Sequence, residues 1–174
     1  MVNIMTILDI LTYPDGVLIK KCSPVQNIDG VLQQTIGDMA ETMYHAPGLG
    51  LAANQVGIQQ RLLIYDVVPR QDGRDLRVLI NPTIVDSEGE MISENEGCLS
   101  IPDFRADVKR ASRILVEGYD RNGSPLRLEA DGLLAIVLQH EIDHLNGTLF
   151  VDHLSSLKRG LFKRRIQKKL RQQK

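Results

Sequence analysis

The sequence predicts an α+β fold, with antiparallel sheets packed around a central helix and another helix closing the chain at its C-terminus. Three observations predict it. Strand-like segments dominate the first two thirds and do not alternate with helices as in a doubly wound sheet. Two of them, Ser112 to Asp120 and Ser124 to Ala130, flank Asn122-Gly123, a hairpin signal because both residues tolerate positive φ. Helical periodicity is confined to a few places, each with its own start or stop signal.

Taken in order, Tyr13-Pro14-Asp15-Gly16 reads as a turn. Asp29 caps a helix running to about His45, with Leu32, Ile36, Met39 and Met43 on one face, and Pro47 and Gly48 end it. A glycine-rich loop, Gly48 to Gln55, follows. Arg61 to Val68 and Arg77 to Asp86 read as strands separated by a polar turn near Asp72-Gly73, and Glu88 to Pro102 reads as irregular. Asp131 is placed to cap the central helix, Gly132 to Asn146, with Gly147 where a C-terminal glycine belongs. A last helix spans Ser155 to Gln172.

A chain of 174 residues suits one domain with a real core. Its 43% apolar and 25% charged residues are ordinary for a globular protein, and no apolar run is long enough to span a bilayer. The segment Met1 to Tyr13 has neither a basic n-region nor a small-residue cleavage site, so a cytoplasmic location is expected. In that compartment Cys22 and Cys98 read as free thiols, which leaves Cys98 available as a ligand.

The strongest chemical signal is Gln139-His140-Glu141-Ile142-Asp143-His144. Histidines four apart on a helix share a face and can reach one ion, and the glutamate between them can act on a water there. In an otherwise apolar helix these polar groups are costly to bury without a purpose. A catalytic metal site needs a third protein ligand and an open position. A histidine six residues after His144 is absent, since Phe150 stands there, and no acid follows Asp152. Asp152 lies past the helix end and reads as a surface or cap residue. Cys98 is the better ligand, because Gly97 beside it lets the backbone approach an ion closely; its alternative is a buried structural thiol.

Three segments together resemble bacterial-type peptide deformylase. Gly48 to Gln55 fits G-x-G-x-A-A-x-Q, Glu96 to Ser100 fits E-G-C-L-S, and Gln139 to Gly147 fits Q-H-E-x-D-H-L-x-G, in the family's order and separation. The resemblance covers nearly the whole chain, from the turn near Pro14 to about Leu157. It implies one catalytic domain, residues 1–174, in which Cys98, His140 and His144 hold a metal and the sheets pack around a central metal-binding helix. It implies Glu141 as proton shuttle, and Gln55 with the backbone N–H of Leu99 as holders of the formyl oxygen. The implied reaction removes the formyl group from formyl-methionyl nascent peptides and releases formate. Fe2+ is the implied ion, with Zn2+, Ni2+ or Co2+ as substitutes; on softness alone the donors also suit zinc. A monomer is expected on the same likeness.

Leu133, Ile136 and Val137 precede His140 on its face of the helix and fit either ordinary core packing or an apolar pocket for methionine, which the resemblance favours. Leu49 and Gly50 would offer backbone groups to an extended substrate. Glu96 reads as a loop-fixing carboxylate for Arg105 or Arg110. One departure is Glu94, where many relatives carry an apolar residue at the pocket rim. The rival readings are another amidase or zinc endopeptidase, and a binding module without catalysis.

The net charge of −1 hides an asymmetry. Lys158 to Lys174 holds nine of the 21 Lys and Arg residues, leaving 12 basic against 22 acidic residues in the rest. Leu157 and Leu161, and Phe162, Ile166 and Leu170, recur at helical spacing among Lys163, Arg164, Lys168 and Arg171. Residues 155–174 thus read as a basic amphipathic helix. It is either a packed terminal helix or a contact for ribosomal RNA, with a membrane surface the weaker competitor.

Overall fold

A computed structural model describes residues 5–172. Its elements are α1 (Gly30–His45), β1 (Gly50–Ala52), β2 (Leu62–Tyr65), β3 (Arg77–Glu88), β4 (Met91–Cys98), β5 (Ile101–Arg110), β6 (Arg113–Tyr119), β7 (Pro125–Asp131), α2 (Gly132–Leu145) and α3 (Ser156–Gln172). Five strands form an antiparallel sheet in the order β1-β2-β3-β6-β7, and β4 pairs with β5 in a separate two-stranded sheet. The expected α+β class is therefore observed, with a central helix and a C-terminal one.

Strand β2 shows why the layers form. All four of its residues are buried, and their alternation sends them to opposite faces. Leu62 and Ile64 meet Ile36, Met39 and Met43 of α1 on one face. Leu63 and Tyr65 meet Leu138, Ile142 and Leu145 of α2 on the other. Burying both faces explains why β2 has no polar positions to mark its pleat.

α1 starts as expected: Asp29 accepts hydrogen bonds from the backbone N–H of Val31 and Leu32. α2 ends as expected, with Gly147 at φ +75° and its N–H on the His144 carbonyl. At the other end the expectation fails in part. Asp131 holds the N-cap position with extended backbone, but its side chain makes no capping bond, because it already serves as the last residue of β7 opposite Arg113.

Three further expectations are corrected. The segment Glu88 to Pro102 is not irregular: most of it is β4, hairpinned to β5 through Leu99-Ser100. The glycine loop contains strand β1 and a 3-10 turn over Ala53–Val56. The β6–β7 connection is a loop from Asp120 to Ser124 in which Gly123 alone takes positive φ, at +83°; the Asp120 carboxylate accepts from the N–H groups of Asn122 and Ser124.

A third cluster joins β5 to the end of the chain. Ile101 and Val108 pack with Leu149, Phe150 and Val151, and with Phe162 of α3. Of the apolar residues in the tail, Phe162 is buried and Ile166 partly so, while Leu157, Leu161 and Leu170 are exposed. α3 thus docks by a narrow stripe. Among the described residues no helix is long and apolar enough to cross a membrane.

Candidate metal centre

α2 runs between the large sheet and the β4–β5 hairpin, so its last two turns are buried on almost every side. His140 and His144 lie one turn apart, their ring centroids separated by 4.9 Å. Cys98, the last residue of β4, is brought to them by the tight β4–β5 turn, and its Sγ is 3.1 Å from His144 Nε2. The donor atoms of Cys98, His140 and His144 all fall within 4.8 Å of one another. Cys22, by contrast, is buried in the core against the sheet, where burial pushes its thiol pKa up.

Behind the donors stands a polar layer. Glu96 Oε1 lies 2.8 Å from His140 Nδ1. A carboxylate only accepts, so Nδ1 carries a hydrogen and Nε2 is the nitrogen left to face the other donors. Arg110 grips the same carboxylate with two bonds, Nη2 to Oε1 at 2.6 Å and Nε to Oε2 at 3.2 Å. Burial opposes ionisation of Glu96, yet hydrogen bonds from His140 and Arg110 bring its carboxyl down to about 2. Arg110, not Arg105, is therefore its partner; Arg105 donates to the Asn95 carbonyl instead. Arg110 also donates to Asp143 at 2.6 Å, and Asp143 in turn meets His153 Nε2 at 2.7 Å.

Gln55 is buried and fixed by its own backbone neighbour: the Ala52 N–H donates to Oε1 at 2.8 Å. That turns the amide nitrogen toward the Ser100 hydroxyl, 3.2 Å away, and the Cys98 sulfur, 3.6 Å away. The Ser100 N–H also points at this sulfur, at 3.4 Å. Asn54, which the sequence reading overlooked, donates to the His144 carbonyl at 2.6 Å and ties the 3-10 turn to α2. Gln139 does the same for the hairpin connection, bonding both the N–H and the C=O of Ala111. A polar residue in the buried half of an apolar helix was the signal for Gln139; Asn54 offered only its place next to Gln55.

Glu141 is buried, and its Oε2 has no hydrogen-bond partner. Burial pushes its carboxyl up to about 7 against the pull of His140, with the Glu96 charge adding to the rise. Burial, followed by the charges of His140 and Arg110, holds His144 well below the usual histidine range and hence neutral. A cysteine sulfur, two imidazoles and, beside them, a buried carboxyl with one oxygen unpartnered fit a divalent transition ion with an open position.

Beside the donors opens a cavity of about 560 Å³. Leu49, Gly50, Gln55, Cys98, Leu99, Leu133, Ile136, Val137, His140 and Glu141 all line it; His144 lies behind, buried. Val137 belongs to the core as well, but Leu133 is 51% exposed, so core packing does not account for it. Asp152 stands apart, its carboxylate accepting from the Leu149 N–H as an ordinary turn cap.

The same arrangement of sequence is found in known proteins. The sequence profile of the polypeptide deformylase family matches residues 7–160. A peptide deformylase of Desulfosudis oleivorans is 58% identical over 168 residues, which covers 97% of both chains. One of Thermodesulfovibrio yellowstonii is 54% identical over 165 residues, covering 95% of this chain and 99% of the relative. Among solved structures, a peptide deformylase from Legionella pneumophila superimposes with a TM-score of 0.88 at 48% identity, over 97% and 98% of the two chains. That from Ehrlichia chaffeensis in complex with actinonin gives 0.87 at 40% identity, over 95% and 98%. With matches this long and this similar, the chain belongs to the polypeptide deformylase family.

Proposed function

We propose that this chain removes the N-terminal formyl group from formyl-methionyl nascent peptides and releases formate, acting as a single catalytic domain over residues 1–174. The observation that carries this reading is the meeting of a buried Glu141 carboxyl, one of whose oxygens has no hydrogen-bond partner, with the donors of Cys98, His140 and His144 beside one cavity. Family membership supports it.

Cys98, His140 and His144 would hold a divalent ion, which would supply Lewis acidity and activate a water when bound. We assign it as Fe2+, with Zn2+, Ni2+ or Co2+ as substitutes, from the family resemblance. Glu141 takes a proton from the attacking water and delivers it to the leaving amine; a carboxyl poised near neutrality suits both halves of that task. Negative charge then develops on the formyl oxygen. The Gln55 amide, already aimed toward Cys98, and the Leu99 N–H donate to it. Gln55 is held by the Ala52 N–H before substrate arrives, so its amide needs little reorganisation. Leu133, Ile136 and Val137 form the wall against which the methionine side chain packs. Leu49 and Gly50 bind the extended peptide backbone as an added strand, a mode that reads side chains loosely.

The partner of the C-terminal helix follows from charge. Lys163, Arg164, Lys168 and Arg171 of α3 are all exposed, so the basic face is free for ribosomal RNA near emerging chains. We take the protein to work as a cytoplasmic monomer. Replacing these four cations by Gln removes charge without touching Phe162. Co-sedimentation with ribosomes is then expected to weaken and to lose part of its salt dependence; unchanged binding rejects the contact.

Formate release from formyl-Met-Ala-Ser by protein purified without oxygen tests the reaction itself. A Glu141→Ala variant of equal metal content is expected to lose about 10²- to 10⁴-fold in kcat. No release by the metal-loaded parent rejects the reading and returns another amidase or a binding module.

A further inference from the structure

The mouth of the cavity carries a charge that the proposed chemistry does not use. β4 pairs regularly with β5 at Ser93↔Val108 and again at Glu96↔Ala106, but between them Glu94 and Asn95 together face Asp107. Asn95 takes φ +52°, which opens the bulge. Its peptide is held on both sides: its N–H donates to the Asp107 carboxylate at 2.9 Å, and its carbonyl accepts from Arg105 at 3.2 Å. The bulge has a consequence for direction. Ser93 and Glu96, three apart, are both buried, and Glu94 is turned outward to line the cavity mouth.

The other acidic groups lining the cavity are committed. Glu96 is paired with Arg110, and Asp103 with Lys169 of α3 at 3.1 Å. Arg105 lies across Gly97, where a Cβ would stand 3.0 Å from its Nη1, and the Asn95 carbonyl fixes its place while leaving its positive charge in the open. Glu141 belongs to the reacting centre. Glu94 is exposed and, among the described residues, makes neither a hydrogen bond nor an ion pair. It is a free carboxylate on a braced strand.

A peptide whose formyl group lies at the donors and whose methionine lies against Leu133 and Ile136 must leave through this mouth, so its next residues pass Glu94. We propose that Glu94 is a specificity-determining residue that favours substrates carrying lysine or arginine in the one or two positions after the methionine. The inference rests on the deformylase reading and names the substrate class within it. An exposed carboxylate acts through long-range attraction that is the same in ground and transition states, so the preference falls on KM more than on kcat.

The test compares kcat/KM for formyl-Met-Lys-Ser, formyl-Met-Ala-Ser and formyl-Met-Glu-Ser in low salt, using the metal-loaded full chain and its Glu94→Gln and Glu94→Lys variants. The parent is expected to prefer the lysine over the glutamate peptide by about three- to tenfold, the size of an exposed charge contact. The ratio is expected to fall toward one in Glu94→Gln, to invert in Glu94→Lys, and to shrink in the parent at about 0.5 M salt, where charges are screened within a few ångströms. Release of formate with a ratio near one in the parent, or a ratio unmoved by Glu94→Gln, overturns the inference and leaves the deformylase reading standing. No release from any of the three peptides overturns both.

Discussion

The carboxylate of Glu141 rests against the bare backbone of Gly50: a Cβ on residue 50 would stand 2.6 Å from Oε1 and 2.9 Å from the carboxyl carbon. β1 is thus one wall of the pocket that positions the proton shuttle, and glycine is what leaves room for it. The close approach suggested by the small residues of the Gly48 to Gln55 segment comes, at this position, from the protein's own carboxylate.

Gly50→Ala is therefore expected to displace Glu141. A shift of about 1 Å in a catalytic group costs about 10²-fold in rate. Overpacking adds about 1–3 kcal/mol of destabilisation. Steady-state kinetics on the folded, metal-loaded variant should show the loss in kcat with KM little changed. A kcat equal to the parent's means that the carboxylate finds its working position by another route.

Arg110 joins Glu96 and Asp143 with its side chain only 2% exposed. Arg110→Met leaves two carboxylates without their cation, and breaking such a buried pair costs about 3–5 kcal/mol. The loss should reach the metal, because Glu96 fixes His140: chelator competition is expected to show about 10- to 100-fold weaker binding. Arg110→Lys should rescue little, since one ammonium cannot make the paired bonds to Glu96 while reaching Asp143. Full metal retention in Arg110→Met would separate the network from the site.

The depressed Glu96 carboxyl sets an acid limit. Its pKa falls from 4.5 to about 2 on folding, so its contribution is complete above about 4.5 and is lost as pH drops through that window toward 2. Urea unfolding of metal-free parent and Glu96→Gln should show a stability gap that is constant from pH 7 to 5 and narrows below. A gap that widens on acidification contradicts the sign.

Phe162 anchors α3, its ring centroid 4.9 Å from Phe104 and 5.2 Å from Tyr13, and Phe104 also lines the cavity. Phe162→Ala is expected to cost about 3–5 kcal/mol. It should also raise KM by loosening the cavity wall. Leu161→Ala, one residue away but 52% exposed, is expected to change stability by less than about 0.5 kcal/mol. Thermal and urea unfolding of the two variants side by side separate the docked stripe of α3 from its solvated face.

Much of this protein was legible as a string. The start of α1 at Asp29, the end of α2 at Gly147, the β6–β7 hairpin and the shared helix face of His140 and His144 rest on local rules, such as which residues tolerate a cap or a positive φ and which spacing puts two rings on one helix face. Those rules act within about one turn of chain, so a sequence displays them directly. Cys98, far away in the chain, is reached by weighing candidate ligands and by the resemblance. The β4–β5 hairpin escaped because its inward side is polar in part: Ser93 and Glu96 are buried where apolar residues would have marked a strand, and the bulge at Glu94-Asn95 breaks the period of two. The line from His140 through Glu96 and Arg110 to Asp143 and His153 joins residues from β4, β5, α2 and the turn beyond. No local pattern announces such pairs. A buried charge takes whichever partner the packed layers bring within reach, and that choice exists only once the hairpin has closed over the helix.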